Sequence, residues 1–483
     1  MAKDILLVEP DYKNKYPPLG LMKISTYHKL KGDNVVFVKG ENSELKKKCW
    51  DRVYVTTLFT FYWNKTISTI KYYYKSVKEP SSIYTGGVMA SLLEEDLRKE
   101  PGLEGITILS GLLDKEGILG SDNYNVDEMT PDYSIINPDV NPYLKYIYPV
   151  QDAYIAYTTR GCIRKCPFCA VPKIETTYNK RISIAKQIKE VDEKYGKKRN
   201  LMLLDNNILA SKELENIINE LVNLGFGIDN NDYTYVKNGR TITVKRYIDF
   251  NQGTDARLIN EATMGLISKL AINPLRIAFD HADDISVKNY VDAVLLAAKY
   301  KIKTLSNYIL FNFEDEPKDF YKRLEINVAL NERFEKENLP TRIWSFPMKY
   351  SPVTGERCKD RKHVGTYWNP KLLRGIQCIL NATHGVVGPK KEFFQKAFGK
   401  NINEFMEILY MPEDYILNRD ENYKNGNSEK WNIMINSLGE KKAAFINLIK
   451  DNKFELGKND DLDLLEIYEL YIKKQTTVKT LKK

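Results

Sequence analysis

The feature that most constrains the fold is a regular alternation of short apolar runs with helical periodicity. Such repetition predicts parallel strands whose faces are covered by helices. In the first 115 residues we predict five strands and, between them, helices that give an open, doubly wound sheet. The predicted strands are Ile5–Glu9, Val35–Val38, Val53–Leu58, Ile83–Thr85 and Ile106–Leu109.

A second series of strands and helices begins near residue 153. Its predicted strands are Tyr154–Tyr157, Leu201–Leu204, Tyr247–Asn251, Leu275–Phe279, Thr304–Leu310 and Arg342–Met348. Six such units predict a partial (β/α)6 barrel of the TIM type, with reactive groups at the C-terminal ends of the strands. An alternating segment around Asn238-Gly239 predicts a β-hairpin inserted at about residues 230–247.

These patterns divide the 483 residues into four parts. We predict a Rossmann-like domain at 1–119 and a linker at 120–150, where Asn, Asp, Pro and Tyr replace the periodicity. The predicted barrel spans 151–365, and a mainly helical region follows at 366–483. Its last residues form a basic tail that we expect to be frayed.

Composition predicts a soluble, cytoplasmic protein. No apolar run reaches the ~20 residues of a membrane span, and the first residues form a strand pattern rather than a signal peptide. Six cysteines, three of them close together, favour a reducing compartment over a disulfide framework. A net charge of +9 permits a polyanionic partner.

Three cysteines form the strongest chemical motif. Cys162, Cys166 and Cys169 make a C-x3-C-x2-C array just after the first barrel strand. A closed zinc or iron–sulfur site takes four protein ligands, so three thiolates leave a metal centre one ligand short. A zinc knuckle is the alternative, but no histidine lies nearby in the sequence to complete it. The spacing therefore favours a [4Fe–4S] cluster with one open iron.

This array, with Arg160-Gly161 before it and Ala170, Val171 and Pro172 after it, resembles the cluster loop of the radical S-adenosylmethionine (radical SAM) superfamily. The resemblance implies that the open iron chelates SAM, and that an electron from the cluster releases a 5′-deoxyadenosyl radical. It also implies an external reductant such as flavodoxin or ferredoxin. Phe168 matches an aromatic residue often found in that loop, so we expect it to shield the cluster and contact adenine.

Polar residues after the second barrel strand are the first candidates for holding SAM. Asp205, Asn206 and Asn207 can accept hydrogen bonds from the SAM ammonium group. The segment departs from the Gly-Gly-Glu form common in the superfamily. The alternative is that these residues cap the following helix.

Further candidates follow the third and fourth barrel strands. Arg257 can receive the SAM carboxylate because a guanidinium fork matches a carboxylate, and Gln252 and Asp255 can hold ribose hydroxyls or substrate. A local Asp255–Arg257 ion pair is the alternative. Asp280 and His281 offer an acid/base pair for catalysis, although a lone histidine after a strand is more often structural.

The N-terminal domain resembles the cobalamin-binding-type domain that precedes many radical SAM domains. The resemblance rests on Tyr16-Pro17-Pro18-Leu19-Gly20 and Thr85-Gly86-Gly87. The usual cobalamin ligand motif, Asp-x-His-x-x-Gly, is missing, since His28 lacks the aspartate. This argues against bound cobalamin.

Together these features predict a radical SAM enzyme that abstracts hydrogen from its substrate. The basic charge and the 32 tyrosines favour a nucleotide or nucleic acid as substrate, with a peptide or small metabolite as alternatives. A non-catalytic iron–sulfur sensor of redox state or iron is the second hypothesis, supported by the departure at residues 205–207. A zinc-stapled nucleic-acid binder is the third.

Overall fold

The structure, a computed structural model, describes residues 2–178, 181–455 and 461–472. The predicted basic tail lies outside these residues. The chain divides into two compact units. The first comprises Met1–Arg276 with Ser351–His363, and the second comprises Ile277–Tyr350 with Val364–Lys483.

The first unit opens with a parallel sheet whose strand order is β2-β1-β3-β4-β5. Its strands are β1 (Asp4–Glu9), β2 (Asn34–Lys39), β3 (Arg52–Thr57), β4 (Ile83–Gly87) and β5 (Thr107–Leu109). The connecting helices are α1 (Leu19–Leu30), α2 (Ser43–Lys46), α3 (Trp63–Tyr73), α4 (Val88–Leu92) and α5 (Glu94–Arg98). This arrangement confirms the doubly wound sheet.

Strand β1, an interior strand, explains why the sheet carries helices on both faces. Ile5, Leu6, Leu7 and Val8 of β1 are all completely buried. Successive side chains of a strand point to opposite faces, so both faces of the sheet must be covered by apolar groups. The continuous apolar run of β1 is the sequence pattern of such a strand.

Residues 120–150 are packed against this sheet. The Asn141 amide donates to the carbonyl oxygens of Phe37 on β2 and of Ile135, both at 2.9 Å. The Ser25 hydroxyl of α1 donates to the buried Asp132 carboxylate at 2.6 Å. This segment has no strand or α-helix periodicity because its backbone is held by short turns, 3-10 helices and side-chain hydrogen bonds.

A second parallel sheet in the first unit has the strand order β10-β7-β6. Its strands are β6 (Ala153–Ala156), β7 (Asn200–Leu203) and β10 (Ile248–Phe250), and a short strand, β11 (Leu275–Arg276), follows them in the chain. The helices here are α6 (Val171–Ile174), α7 (Ala185–Tyr195), α8 (Leu214–Leu221) and α9 (Glu261–Ile267). The C-terminal ends of these parallel strands lie at one edge of the sheet, where the site is built.

A β-hairpin interrupts this series between α8 and β10. Strands β8 (Asp232–Lys237) and β9 (Arg240–Lys245) pair in antiparallel register. Asn238 and Gly239 form the two-residue turn with φ of 51° and 72°. Both lie in the left-handed region that a type I′ hairpin turn requires.

The second unit contains a parallel strand pair and the helical C-terminal part. Strands β12 (Thr304–Phe311) and β13 (Arg342–Lys349) pair in register along their length. The helices are α10 (Asp284–Lys299), α11 (Pro317–Lys336), α12 (Pro370–Ala382), α13 (Lys391–Phe398), α14 (Ile402–Tyr410), α15 (Glu413–Leu417), α16 (Arg419–Lys424), α17 (Asn427–Ser437), α18 (Lys441–Ile449) and α19 (Leu462–Ile472). None of the helices in the described ranges has the length and apolar character of a membrane span.

Candidate functional site

The loop that carries the three cysteines begins where β6 ends; we call residues 158–175 the cluster loop. Its first turn is held by Asp205, which follows β7 and is 3% exposed. The carboxylate accepts hydrogen bonds from the hydroxyls of Thr158 and Thr159 at 2.6 and 2.7 Å, and from both backbone amides. Because β6 and β7 are parallel neighbours, this contact joins two strand ends at one edge of the sheet.

Two effects act on the charge of Asp205. Burial raises its pKa, whereas the hydroxyl and amide donors of Thr158 and Thr159 lower it. The side chain positions the entry to the cluster loop in this structure. Its predicted contact with the SAM ammonium group stays a prediction.

Glu175 holds the end of the cluster loop against its beginning. Its carboxylate accepts hydrogen bonds from the Gly161 backbone amide and from the Asn206 side-chain amide, the latter at 3.1 Å. The Arg160 guanidinium lies 3.3 Å from the other carboxylate oxygen and stacks 3.9 Å from the Tyr157 ring centroid. Sequence reasoning missed Glu175, since an isolated glutamate after a short helix carries no motif.

Gly161, just before the first cysteine, can only be a glycine. Its φ is +80°, in the left-handed region that favours glycine. A Cβ at this position would meet the Thr177 carbonyl oxygen at 2.1 Å. The Arg-Gly pair ahead of the cysteines is therefore required by backbone geometry.

The cysteines of the cluster loop are half-buried and form no disulfide. The Cys162 sulfur accepts hydrogen bonds from the Arg164 backbone amide at 3.3 Å and from the Asn207 side-chain amide at 3.7 Å. Donors aimed at sulfur are among the groups that set the potential of an iron–sulfur cluster. The surroundings of Cys162 therefore fit a cluster ligand.

Asn207 also presents an acceptor beside Cys162. The residue is 3% exposed, and its side-chain oxygen is buried without a hydrogen-bond partner among the described residues. A buried amide oxygen normally has a partner. This atom fits the amino group of a ligand bound next to Cys162, as predicted for SAM.

Among the described residues, no three His, Cys, Asp or Glu side chains converge on one point as ligands of a single metal ion. A cubane cluster does not need such convergence, because each thiolate binds a different iron atom. The other cysteines lie elsewhere: Cys49 is exposed, and burial raises the pKa of Cys358 and raises that of Cys378 to about 11.

Asp255 lies between two arginines after β10. Its carboxylate accepts from Arg257 at 2.6 and 3.0 Å and from Arg164 of the cluster loop at 2.8 Å. Burial opposes ionisation, but the two guanidinium groups hold the pKa of Asp255 below its usual range. The structure thus contains the Asp255–Arg257 ion pair that was the alternative interpretation. The roles of Arg257 and of the exposed Gln252 in binding SAM stay predictions.

The structure shows fewer contacts that bear on the predicted roles of Phe168, Asp280 and His281. Phe168 is half-buried within the cluster loop. Asp280 and His281 lie in the second unit, where the Asp280 carbonyl oxygen accepts a hydrogen bond from the buried Arg323 at 2.9 Å and His281 is exposed. The catalytic role of this pair stays a prediction.

The edge of the N-terminal sheet presents aromatic side chains after β3. Phe59 is 51% exposed and stacks on Phe61 with ring centroids 5.1 Å apart. Phe61 in turn contacts Tyr62, at 4.9 Å between centroids. Nearby on β4, the Thr85 hydroxyl is buried without a hydrogen-bond partner among the described residues. The Arg361 guanidinium lies 4.1 Å from the Phe61 ring centroid, so this edge combines aromatic rings with a cation, while the Thr85 hydroxyl is buried beneath the surface.

His28 does not contribute to that edge. It is buried, with one ring nitrogen 2.7 Å from Asp33 and the other 2.9 Å from the Tyr54 hydroxyl. Burial lowers the pKa of His28. Its two nitrogens are committed to internal partners, so this histidine is a structural group.

Comparison with known proteins identifies the domain that contains the cluster loop. The Radical SAM superfamily profile matches residues 156–324. A search of curated proteins finds no match. The chain therefore carries a radical SAM domain, which supports an enzyme whose reaction is left open.

Solved structures share the fold. Apo OxsB, a cobalamin-dependent S-adenosylmethionine radical enzyme, is 10% identical, covers 98% of this chain and 79% of its own, and has a TM-score of 0.50. TsrM from Kitasatospora setae, a radical S-adenosylmethionine methyltransferase with cobalamin and a [4Fe–4S] cluster bound, is 14% identical with 78% of each chain covered and a TM-score of 0.49. An N-terminal Rossmann-like domain followed by a partial barrel is thereby confirmed.

These structures correct the prediction against cobalamin. That prediction rested on the missing Asp-x-His-x-x-Gly motif, and it is wrong: OxsB, which shares the fold, is a cobalamin-dependent enzyme. The physical reason is that a histidine ligand is one of several contacts that can hold a large cofactor, so the absence of its motif does not exclude binding.

The fit of Gly161 gives a first test. In Gly161→Ala, left-handed backbone costs about 1–2 kcal/mol for a non-glycine residue, and the new Cβ overlaps the Thr177 carbonyl oxygen. We expect the reconstituted variant to hold less than half of the wild-type iron and sulfide. Gly196→Ala is the matched control, since Gly196 has φ +76° with no atom within 4 Å of the added Cβ. Equal iron in Gly161→Ala and wild type would contradict the role of this turn.

Asn207 gives a second test. Asn207→Ala removes an amide donor to the Cys162 sulfur, and we expect the cluster to be harder to reduce because such donors raise the reduction potential. The measurement is a redox titration followed by electron paramagnetic resonance. Asn251→Ala is the control, because the Asn251 amide donates to the Tyr16 hydroxyl instead. An unchanged midpoint in Asn207→Ala would show that this contact does not act on the cluster.

Proposed function

We propose that this chain is a cobalamin-dependent radical SAM enzyme whose cluster is held by Cys162, Cys166 and Cys169. The observation that carries the proposal is the pair of Asn207 side-chain atoms beside Cys162: the amide nitrogen donates to the thiol sulfur, and the buried oxygen has no described partner. A bound cluster and SAM would supply a carbon-centred radical for hydrogen abstraction. The chain's own residues position these groups.

The SAM amino group would be received by the Asn207 side-chain oxygen, with Asn206 held in place by Glu175. The SAM carboxylate would be received by Arg257, whose side chain is half exposed. Arg257 is paired with Asp255, and it can leave this partner because Arg164 continues to neutralise the carboxylate. A buried charge left unpaired would be costly, so the second arginine makes this exchange feasible.

Cobalamin would pack against Phe59, Phe61 and Tyr62 at the edge of the N-terminal sheet. The half-exposed Phe59 ring supports this assignment. Large flat ligands are commonly bound by apolar surfaces with a few polar groups. His28 is committed to Asp33 and Tyr54, so cobalamin would receive no imidazole from it.

For the substrate we propose a nucleotide or nucleic acid, supported by the net charge of +9 and the tyrosine content. Asp280 and His281 are proposed as the acid/base pair, on the chemistry of the two side chains. The electron donor is proposed to be a small reductant such as flavodoxin or ferredoxin.

Reductive cleavage of SAM tests the radical chemistry. Protein reconstituted without oxygen should release 5′-deoxyadenosine when dithionite and SAM are added, and Cys162→Ala should reduce the rate by at least 100-fold, or about 2.7 kcal/mol. Cys378→Ala is the control, since this buried thiol lies outside the cluster loop. Wild-type protein that loads iron and sulfide but forms no 5′-deoxyadenosine would favour a sensor. S-adenosylhomocysteine measured in the same samples reports methyl transfer.

Cobalamin binding is tested separately from turnover. We expect the purified chain to bind about one hydroxocobalamin per molecule. The measurement is the visible spectrum of the cobalamin that stays with the protein after gel filtration. Phe59→Glu should weaken binding at least tenfold, because a carboxylate replaces the exposed ring. Leu30→Glu, at a 59% exposed apolar residue on α1, is the matched control. No retained cobalamin in the wild type, or equal retention in Phe59→Glu, would contradict the assignment.

A further inference from the structure

A basic surface lies on the first unit at the N-terminal ends of β7 and β10. It consists of the loop at residues 194–199, which precedes β7, and the hairpin segment at 232–246, which precedes β10. These two segments carry eight lysines and arginines against a single acid, Asp232, and seven of the eight cations lie outside the core, since Arg246 is buried. Since β6, β7 and β10 are parallel, this basic surface is at the opposite edge of the sheet from the cluster loop.

Hydrogen bonds join the two segments into one surface. The Tyr233 hydroxyl donates to the Lys197 carbonyl oxygen at 3.0 Å. The Arg199 guanidinium donates to the Lys245 carbonyl oxygen at 3.1 Å, and Arg246 donates back to the Arg199 carbonyl oxygen at 3.0 Å. The backbones of the loop and of the hairpin base are therefore joined to each other.

The tip of the hairpin places two like charges opposite each other. Lys237 and Arg240 form the cross-strand pair next to the turn, and both are exposed. Like charges in direct register destabilise a hairpin. Neither side chain has a hydrogen bond or ion pair among the described residues, in contrast to Lys245, which pairs with Asp232 at 2.8 Å. A bound anion would relieve this repulsion.

Aromatic rings accompany these cations. Tyr233 and Tyr235 lie on the same face of the hairpin as Lys237, and their rings stack with centroids 5.8 Å apart at 27°. Beside the loop, Lys194 and Lys198 line a cavity of about 560 Å³ together with Tyr133, Tyr195 and one acid, Asp152. Cations that follow a backbone and aromatic rings that stack on bases are the combination used to bind single strands.

We infer that this basic surface binds single-stranded nucleic acid, with Lys237 and Arg240 on phosphates and Tyr235 against a base. The inference deepens the proposed nucleic-acid substrate by giving it a docking surface apart from the cluster loop. An acidic peptide would meet the charges but offers no bases for the tyrosines. The rings therefore favour nucleic acid over a protein partner.

The test is fluorescence anisotropy of a labelled oligouridine of about 16 nucleotides, the upper range of single-strand sites, titrated with the full chain at several salt concentrations. Lys237→Ala/Arg240→Ala should weaken binding about tenfold or more. It should also lower the slope of log K against log salt by about 1.4, because each phosphate contact on a single strand contributes about 0.7. Lys186→Ala/Lys189→Ala removes the same charge from the exposed face of α7 and is the matched control.

Equal affinity of the hairpin variant and wild type, or equal losses in the hairpin and control variants, would overturn the inference. A labelled polyglutamate that binds as tightly as oligouridine would also overturn it, since charge alone would then suffice. Oligothymidine in parallel distinguishes DNA from RNA as the preferred strand, and tight binding of either supports the inference. Formation of 5′-deoxyadenosine without nucleic acid is measured in the same preparations, so failure of docking and failure of the radical chemistry are distinguishable.

Discussion

The buried Asp205 carboxylate is the contact on which the site depends. It receives the hydroxyls and backbone amides of Thr158 and Thr159, so the chain leaving β6 is tied to the end of β7. The cysteines follow within a few residues. A thiolate can serve as a cluster ligand only if its backbone is held in place. The hydrogen bonds of Asp205 hold the backbone of the cluster loop, which has no regular secondary structure here.

Glu175 completes this restraint from the other side of the cluster loop. Its contacts with Arg160 and the Gly161 amide join the two ends, while its contact with Asn206 connects the loop to the segment after β7. Arg164 of the cluster loop donates to Asp255 and so connects the loop to the segment after β10. Three strand ends therefore meet in one network of charged and amide groups. We propose that such a network would let SAM bind without rearranging the backbone.

Much of this could be predicted from the sequence, because strands and the cysteine array depend on local patterns. The strands of the N-terminal sheet and the hairpin turn at Asn238-Gly239 follow from apolar runs and turn residues close in the chain. Glu175 could not be found in this way, since its partners are chosen by the folded loop. Asp205 was identified as a polar residue at a strand end, but its hydrogen bonds to Thr158 and Thr159 depend on the register of two strands. The prediction against bound cobalamin is wrong because the absence of one histidine ligand motif does not exclude binding through other contacts.

The central claim is that three cysteines leave one iron of the cluster open for SAM. The most direct measurement is the electron paramagnetic resonance spectrum of the reduced, reconstituted protein with and without SAM. The account predicts a [4Fe–4S] signal whose g values shift when SAM is added, because the ligand at the open iron changes. A cluster spectrum that stays the same at saturating SAM, or a protein that takes up zinc and no iron, would contradict it.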